Sequence, residues 1–319
     1  MAARTWADSR RPHRNSADNI VMNPHEIPDL PDLPCYLNGE FTRLPDAKVS
    51  VMDRGFIFGD GVYEVVPVYA GRPFRFAEHM ARLDRSLHEL RITNPMTREQ
   101  WRELLDRLIS GYAQSQGVRP DSSDQLVYIQ VTRGVAMRDH VMLPGLQPTV
   151  FAIANRMTPP SASARSEGVA CVTADDFRWK KAHIKSVSLA GAVLSRQISA
   201  DADALETVMF RDGFLSEAAA SNVWMVKNGT LFGTPKDNLV LEGIRYGLIE
   251  NLCREAGIPF VLRRVSREEI FAADELLLSS ATKEVLAITR LDGLAIGNGK
   301  PGPMYAKLHE GYQRAKQAS

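Results

Sequence analysis

The 319-residue sequence has only three cysteines, Cys35, Cys171 and Cys253, set far apart. They cannot frame a disulfide-stapled fold or a CxxC metal site. Their scarcity suits a reducing, cytoplasmic compartment. No uninterrupted apolar run approaches the ~18 residues that span a bilayer. An excess of one charge is also missing: 39 Lys and Arg against 38 Asp and Glu leave a net charge of +1. Such a chain has no global field for nucleic acid or an anionic membrane, although a local anion pocket stays open. There is no GxGxxG after a strand, no GxxxxGK[ST], no HExxH and no GxSxG; Gly59-Asp60-Gly61 is only a fragment of the first. The seven histidines are scattered, without metal-ligand spacing. Metal, nucleotide and serine-hydrolase chemistry therefore lack a signature.

What is present is ordinary globular material, 44% hydrophobic and 24% charged, long enough for two domains or one large one. Residues 1–33 stand apart. Arg4, Arg10, Arg11 and Arg14 face a single early acid, Asp8, and Pro24, Pro28, Pro31 and Pro34 follow. The stretch lacks the ~7–15-residue apolar core of a signal peptide, and Asp8 and Asp18 interrupt any transit-peptide pattern. It reads as a disordered or loosely docked arm.

From Tyr36 the pattern becomes regular. Asn38-Gly39, Ala70-Gly71, Asp212-Gly213, Asn228-Gly229 and Asp292-Gly293 mark hairpin turns between β-rich segments. Gly61 to Val66, Leu126 to Thr132, Val150 to Ala154 and Val169 to Thr173 read as strands. Met80, Leu83, Leu87 and Leu90 recur at helical spacing and predict a helix over 77–90. Further helices fit 97–116, 188–203, a segment after Gly243, 267–272 and 303–316. The sequence NRMTPPSASARSEG at 155–168 is the best linker. It divides a smaller domain, 34–154, from a larger one, 169–319. Hairpins mixed with helices argue for an α+β fold rather than a doubly wound parallel sheet.

Lysine is scarce, ten residues against twenty-nine arginines. Nine lie in polar, loop-like or surface-helix surroundings. Lys185 lies instead in Ala182-His183-Ile184-Lys185-Ser186-Val187, among apolar and small residues. Burying an ammonium is costly, so this lysine is either chemically used, as in a Schiff base, or a strand-end lysine snorkelling to water. Glu217 precedes Ala218-Ala219-Ala220-Ser221. Small residues admit a flat ring, and a carboxylate there could meet a pyridinium nitrogen; it could equally be a turn glutamate. Gly243 opens a predicted helix at Ile244 and Arg245, whose free N–H groups suit a phosphate. Ser280, Ala281 and Thr282 follow the apolar run Leu276-Leu277-Leu278 and offer hydroxyls and N–H groups at a strand end. Arg82 sits four residues from core-like leucines and could clamp an anion or face solvent. Arg138 and His140, two apart after a strand, point the same way in an extended chain and suit a carboxylate; a solvated basic loop is the alternative.

Together these segments resemble one family, the class IV, or fold type IV, aminotransferases that depend on pyridoxal 5'-phosphate. The likeness runs from about Tyr36 to Lys316. It rests on Asp53-Arg54-Gly55-Phe56 with Phe58-Gly59-Asp60-Gly61-Val62-Tyr63-Glu64-Val65-Val66, then Glu78-His79-Met80-Ala81-Arg82-Leu83, Val131-Thr132-Arg133-Gly134 through His140, Arg178-Trp179, Ile184-Lys185-Ser186, Glu217 with Ser221-Asn222-Val223, and Leu241-Glu242-Gly243-Ile244. Tyr63-Glu64-Val65-Val66 and the Arg138-x-His140 pair resemble the D-amino acid-specific branch. The L-branched-chain branch typically reads Phe-Glu-Gly-Ile-Arg at the first of these positions.

The resemblance implies a small α/β N-terminal domain, a larger pseudo-barrel C-terminal domain and a cofactor at their interface. It implies Lys185 as the lysine holding the cofactor in a Schiff base and acting as the catalytic base, and Glu217 as the acid on the ring nitrogen. Arg82, Gly243, Ile244, Arg245, Ser280 and Ala281 match the phosphate cup. Tyr63, Val65, Thr282, Arg138 and His140 match the substrate side, the last two donated by the neighbouring subunit of a homodimer. The implied reaction moves an amino group between a D-amino acid such as D-alanine and a 2-oxo acid such as 2-oxoglutarate or pyruvate. Small molecules are then the partners, with no nucleic acid, membrane or metal. The alternatives on this scaffold are an L-branched-chain transaminase or an aminodeoxychorismate lyase; off it, a phosphate- or nucleotide-binding protein using Gly243 and Ser280 as an anion site. Four departures stand out. Arg245 and Ala281 replace frequent threonines, the former exchanging a hydroxyl contact to phosphate for a cation. Ala218 to Ala220 replace glycine and serine, and Pro67 replaces a polar residue.

Overall fold

The structure is a computed structural model that describes residues 30–318. The arginine-rich part of the arm at 1–33 lies outside the described residues.

The first half builds a six-stranded sheet. It comprises β1 (Pro34–Leu37), β2 (Glu40–Arg43), β3 (Gly61–Tyr69), β4 (Arg72–Pro73), β5 (Gln125–Thr132) and β6 (Thr149–Arg156), in the order β2-β1-β6-β5-β3-β4. All its pairings are antiparallel. The β1–β2 hairpin turns where expected, with Asn38 at φ 49° and Gly39 at φ 104°, a geometry that few other residues tolerate. Helix α1 (Arg54–Phe58) precedes β3; α2 (Phe76–Glu89) and α3 (Arg98–Ser115) pack on the sheet. Helix α3 starts at a capping box in which Thr97 and Gln100 bond each other's backbone N–H. Along β3 the alternation sends Val62, Val66 and Val68 into a core with Met80, Leu83 and Leu87 of α2. Tyr63 and Val65 are left on the opposite face.

The second half follows α4 (Ala162–Ser166), a short helix inside the 155–168 segment. Its sheet has nine strands: β7 (Val169–Asp175), β8 (Glu206–Arg211), β9 (Phe214–Ala218), β10 (Asn222–Lys227), β11 (Thr230–Gly233), β12 (Phe260–Leu262), β13 (Glu275–Ser280), β14 (Glu284–Leu291) and β15 (Leu294–Ala295). The order is β12-β11-β10-β13-β14-β7-β8-β9, with β15 on β14. Strand β7 runs parallel to both β8 and β14, and α5 (Ala190–Asp201) makes the crossover from β7 to β8. Helix α6 (Ile244–Glu255), α7 (Arg267–Phe271) and α8 (Pro303–Ala318) complete the chain. The architecture is α+β, as the hairpins predict.

The two sheets share a core in which Tyr69 and Phe74 pack with Trp224, Leu277, Val285 and Tyr312, and a short backbone pairing adds to it. Residues 184–187 run beside the edge of β3 that β5 leaves free: Tyr63 N–H donates to the Lys185 carbonyl at 3.0 Å, and Val187 N–H to the Gly61 carbonyl at 3.0 Å. That pairing positions Lys185 against Tyr63.

Candidate active site

A cavity of about 890 Å³ is lined from both sheets. The strand β3, the segment 177–200, the turn between β9 and β10, the start of α6 and the turn between β13 and β14 all contribute. It gathers Lys185, Glu217, Arg82, Gly243, Ile244, Arg245, Ser280, Ala281, Tyr63, Val65 and Thr282. Arg138 and His140 are not in its lining; both are exposed, on the loop after β5.

Lys185 is half-buried, with Nζ 4.0 Å from the centroid of the Tyr63 ring, and it makes no ion pair among the described residues. Three other lysines are also partly covered, contrary to the polar surroundings expected from sequence. Each has a carboxylate: Lys227 has Asp274 at 2.9 Å, Lys283 has Glu206 at 3.2 Å, and Lys316 has Glu284 at 2.7 Å. A covered ammonium is normally neutralised by such a partner. Lys185 is set apart by lacking one while facing a cavity.

Glu217 lies near the end of β9, buried, and is held on three sides. Arg178 Nη1 donates to Oε1 at 2.6 Å; Asn222 Nδ2 and the Leu241 N–H donate to Oε2 at 3.2 and 3.3 Å. Burial pushes its carboxyl above the ordinary range, and the Arg178 charge offsets this only in part. Arg178 is itself gripped by Asp176, at 2.9 Å to each oxygen.

Beyond Asn222 and Leu241, the same cavity offers a place for an anion. Helix α6 begins at Gly243 without a side-chain cap, so its first N–H groups remain for a ligand. A Cβ at Gly243 would run into Asn222 Oδ1, so the close approach of these two elements requires glycine. Arg82 brings its guanidinium to the same place, with Nη1 3.5 Å from the Glu242 carbonyl. Its Nε and Nη2 are fixed on Glu64 at 2.7 and 2.8 Å, and His79 Nδ1 lies 2.8 Å from the same carboxylate. Burial opposes ionisation of Glu64, but Arg82 and His79 hold its carboxyl well below the usual range. Burial pushes His79 down to about 4 against the pull of Glu64, so the imidazole is neutral at pH 7.

Arg245 departs from the sequence reading. Its backbone N–H is at the helix start, but its side chain turns away behind the cup. There Nε donates to Tyr312 Oη at 3.1 Å and Nη2 to the Ala281 carbonyl at 3.3 Å. The rings of Phe74 and Tyr312 pack against the guanidinium. The cation thus braces the turn after β13 rather than standing in for a hydroxyl. A buried carboxylate, a capless helix start with an arginine beside it, and small Ala218 to Ala220 on one cavity fit a flat cationic ring carrying a phosphate.

Sequence reasoning gave no role to Glu64, His79, Arg178 or Asn222. The signal for Glu64 was present: it is the charged member of the inward-facing series Val62, Val66, Val68. A charge at such a position demands a partner.

The comparisons agree with this geometry. Residues 61–291 match the family model of amino-transferase class IV. D-alanine aminotransferase of Bacillus licheniformis is 34% identical over 278 residues, 87% of this chain and 95% of that protein. The one from Listeria monocytogenes serotype 1/2a (strain 10403S) is 36% identical over 276 residues, 86% and 93% of the two chains. Among solved structures, the Escherichia coli branched-chain amino acid aminotransferase has a TM-score of 0.77 at 24% identity, covering 88% of this chain and 93% of that one. The branched-chain aminotransferase from the thermophilic archaeon Thermoproteus uzoniensis, solved with norvaline, has a TM-score of 0.78 at 23% identity, covering 89% and 95%. These two share the fold. Since the matched segment contains every residue that lines the cavity and most of the chain besides, the chain belongs to the class IV aminotransferases, of fold type IV.

Proposed function

We propose that the protein transfers an amino group between a D-amino acid, such as D-alanine, and a 2-oxo acid, such as 2-oxoglutarate or pyruvate, with pyridoxal 5'-phosphate bound at Lys185. The observation that carries this reading is the unpaired Lys185 on one cavity with buried Glu217, Arg82 and the capless N-terminus of α6. The family is pyridoxal phosphate-dependent, and the cofactor, when bound, supplies the electron sink for breaking a Cα–H bond.

The chain's own residues do the rest. Lys185 Nζ would hold the cofactor and, as a free neutral amine, would be the base that takes the Cα proton of the substrate. Glu217, kept in place by Arg178 and Asn222, would pair with the ring nitrogen. Arg82, the N–H groups of Ile244 and Arg245, and the Ser280–Ala281 turn with Gly243 hold the phosphate. Tyr63, Val65 and Thr282 line the substrate side.

The D-specific reading is supported by the relatives named D-alanine aminotransferase and by the Arg138-x-His140 pair. The branched-chain structures are more distant in sequence and argue for the scaffold alone, so the L-branched-chain and lyase alternatives rank lower. Arg138 and His140 stand on the surface, and Met137 and Val141 beside them are 80% and 62% exposed. On α5, Val193 and Leu194 are 64% and 61% exposed. The reading assigns a second copy of the chain as the partner, whose Arg138 and His140 complete the carboxylate site. The test is subunit mixing with D-alanine and 2-oxoglutarate as substrates. Lys185→Ala and Arg138→Ala, each impaired alone, should regain roughly a quarter of wild-type turnover when refolded together, because half the dimers then hold one intact site. No gain on mixing would contradict the shared site, and turnover of L-alanine instead of D-alanine would contradict the assigned hand.

A further inference from the structure

Arg54 opens α1 and is 3% exposed. A guanidinium so buried is expected to be fully engaged, and its bonds lead to two places. Nε donates to Asp60 Oδ2 at 2.8 Å, and Nη1 to the Asp139 carbonyl at 2.5 Å. Asp139 is the residue between Arg138 and His140, so a hold on its carbonyl constrains both neighbours. Among the described residues no other side chain bonds the backbone of 137–143, apart from Asp139's own carboxylate on the Val141 N–H. At the other end of α1, the Phe58 ring lies 5.4 Å from the Arg138 guanidinium and 5.3 Å from the His140 ring, with Arg54 itself at 4.9 Å.

The clamp continues inward. Asp60 also takes Arg133 Nε at 2.7 Å and Nη2 at 3.0 Å, and Arg133 holds the carbonyls of Leu90 and Arg91 just past the end of α2. That helix carries Arg82. One largely covered carboxylate therefore joins the loop of Arg138 and His140 to the helix that borders the anion site.

We infer that Arg54, fixed by Asp60, is a positioning residue that sets the Arg138–His140 arm for the substrate α-carboxylate. The inference rests on reading that pair as the carboxylate site. Arg54→Lys keeps a positive charge for Asp60 but lacks the rigid fork whose Nε and Nη1 take Asp60 and the Asp139 carbonyl separately. Loss of a charge-assisted hydrogen bond at this point should raise KM for D-alanine and the inhibition constant of propionate by about tenfold, with kcat within about threefold. Ethylamine, which is D-alanine without its carboxylate, should react with the loaded enzyme in single turnover as it does with the wild type. Asp60→Asn should move the same constants in the same direction and serves if Arg54→Lys does not fold. Arg138→Ala is measured beside them. Equal losses on D-alanine and ethylamine in the Arg54 and Asp60 variants, with Arg138→Ala selective for D-alanine and propionate, would overturn the role of Arg54 alone. No selectivity in Arg138→Ala would overturn the carboxylate reading, and this inference with it.

Discussion

Replacing Glu64 by glutamine should cost this protein much of its stability, and the structure sets the size. The carboxylate is fully buried and takes four contacts, two from Arg82 at 2.7 and 2.8 Å, one from His79 at 2.8 Å and one from the Val65 N–H at 3.3 Å. Glutamine keeps the shape, but its amide nitrogen accepts nothing, so at least one partner loses its acceptor. Arg82 is left as a covered guanidinium without a counter-charge. Breaking a buried pair from one side costs ~3–5 kcal/mol, which for a chain of this size is a fall in Tm of roughly 4–8 °C. Arg82 borders the capless start of α6, so an added phosphate group offers the missing charge. Pyridoxal phosphate should therefore raise the melting midpoint of Glu64→Gln more than that of the wild type. Calorimetry of both proteins, with and without the cofactor, measures the two effects. A loss below ~1 kcal/mol, or an equal cofactor gain in both, would refute the claim that Glu64 balances a phosphate-facing arginine.

His79 supplies a pH dependence. Its folded-state pKa, about 4, lies below the ordinary ~6.5, so the unfolded chain binds more protons between these values and stability falls as pH drops through that window. The loss between pH 7.5 and 5 should be about 2 kcal/mol, and His79→Asn, which retains a donor toward Glu64, should abolish it in urea titrations at the two pH values. The lysines should separate stability from chemistry. Without cofactor, Lys283→Met should destabilise by ~3 kcal/mol because buried Glu206 loses its partner. Lys185→Met should leave stability unchanged or slightly raised yet abolish transamination. A Lys185 variant that retains turnover would refute its role, and a stable Lys283→Met would refute the pairing argument.

Much of the fold is legible in the sequence where local chemistry decides it. Asn38-Gly39, Asp212-Gly213, Asn228-Gly229 and Asp292-Gly293 each place their two residues at positive φ, which is why the dipeptides announce the hairpins. The leucine spacing predicts α2 to within a residue of its observed Phe76–Glu89. The parallel pairing of β7 with β8 and β14 has no such local signal, because the strands are joined through a helix or across the sheet. Helix α4, held by the Ser161 cap, lies within a stretch whose two prolines and small residues read only as linker.

At the site, Lys185 and Glu217 stand out as lone charges among apolar and small neighbours, and the cavity brings both together with the anion-binding candidates. Their partners do not stand out. Arg178 reaches Glu217 across 39 residues, and Arg82 reaches Glu64 across 18; such pairs exist only once the strands are registered. Arg245 shows the same limit. Its place at a helix start suggests a cation for the phosphate, while its side chain answers to Tyr312, 67 residues further on. Arg138 and His140 read from sequence as a same-side pair on an extended chain, whereas the loop after β5 bends at 137, 138 and 140 and leaves both exposed.

The visible spectrum of the purified protein loaded with pyridoxal phosphate, recorded during addition of D-alanine with L-leucine in parallel, tests the central claim most directly. The account predicts a cofactor band that is lost with D-alanine and kept with L-leucine. A band lost with L-leucine alone would contradict the D-specific reading, and no band at all would contradict cofactor binding at Lys185.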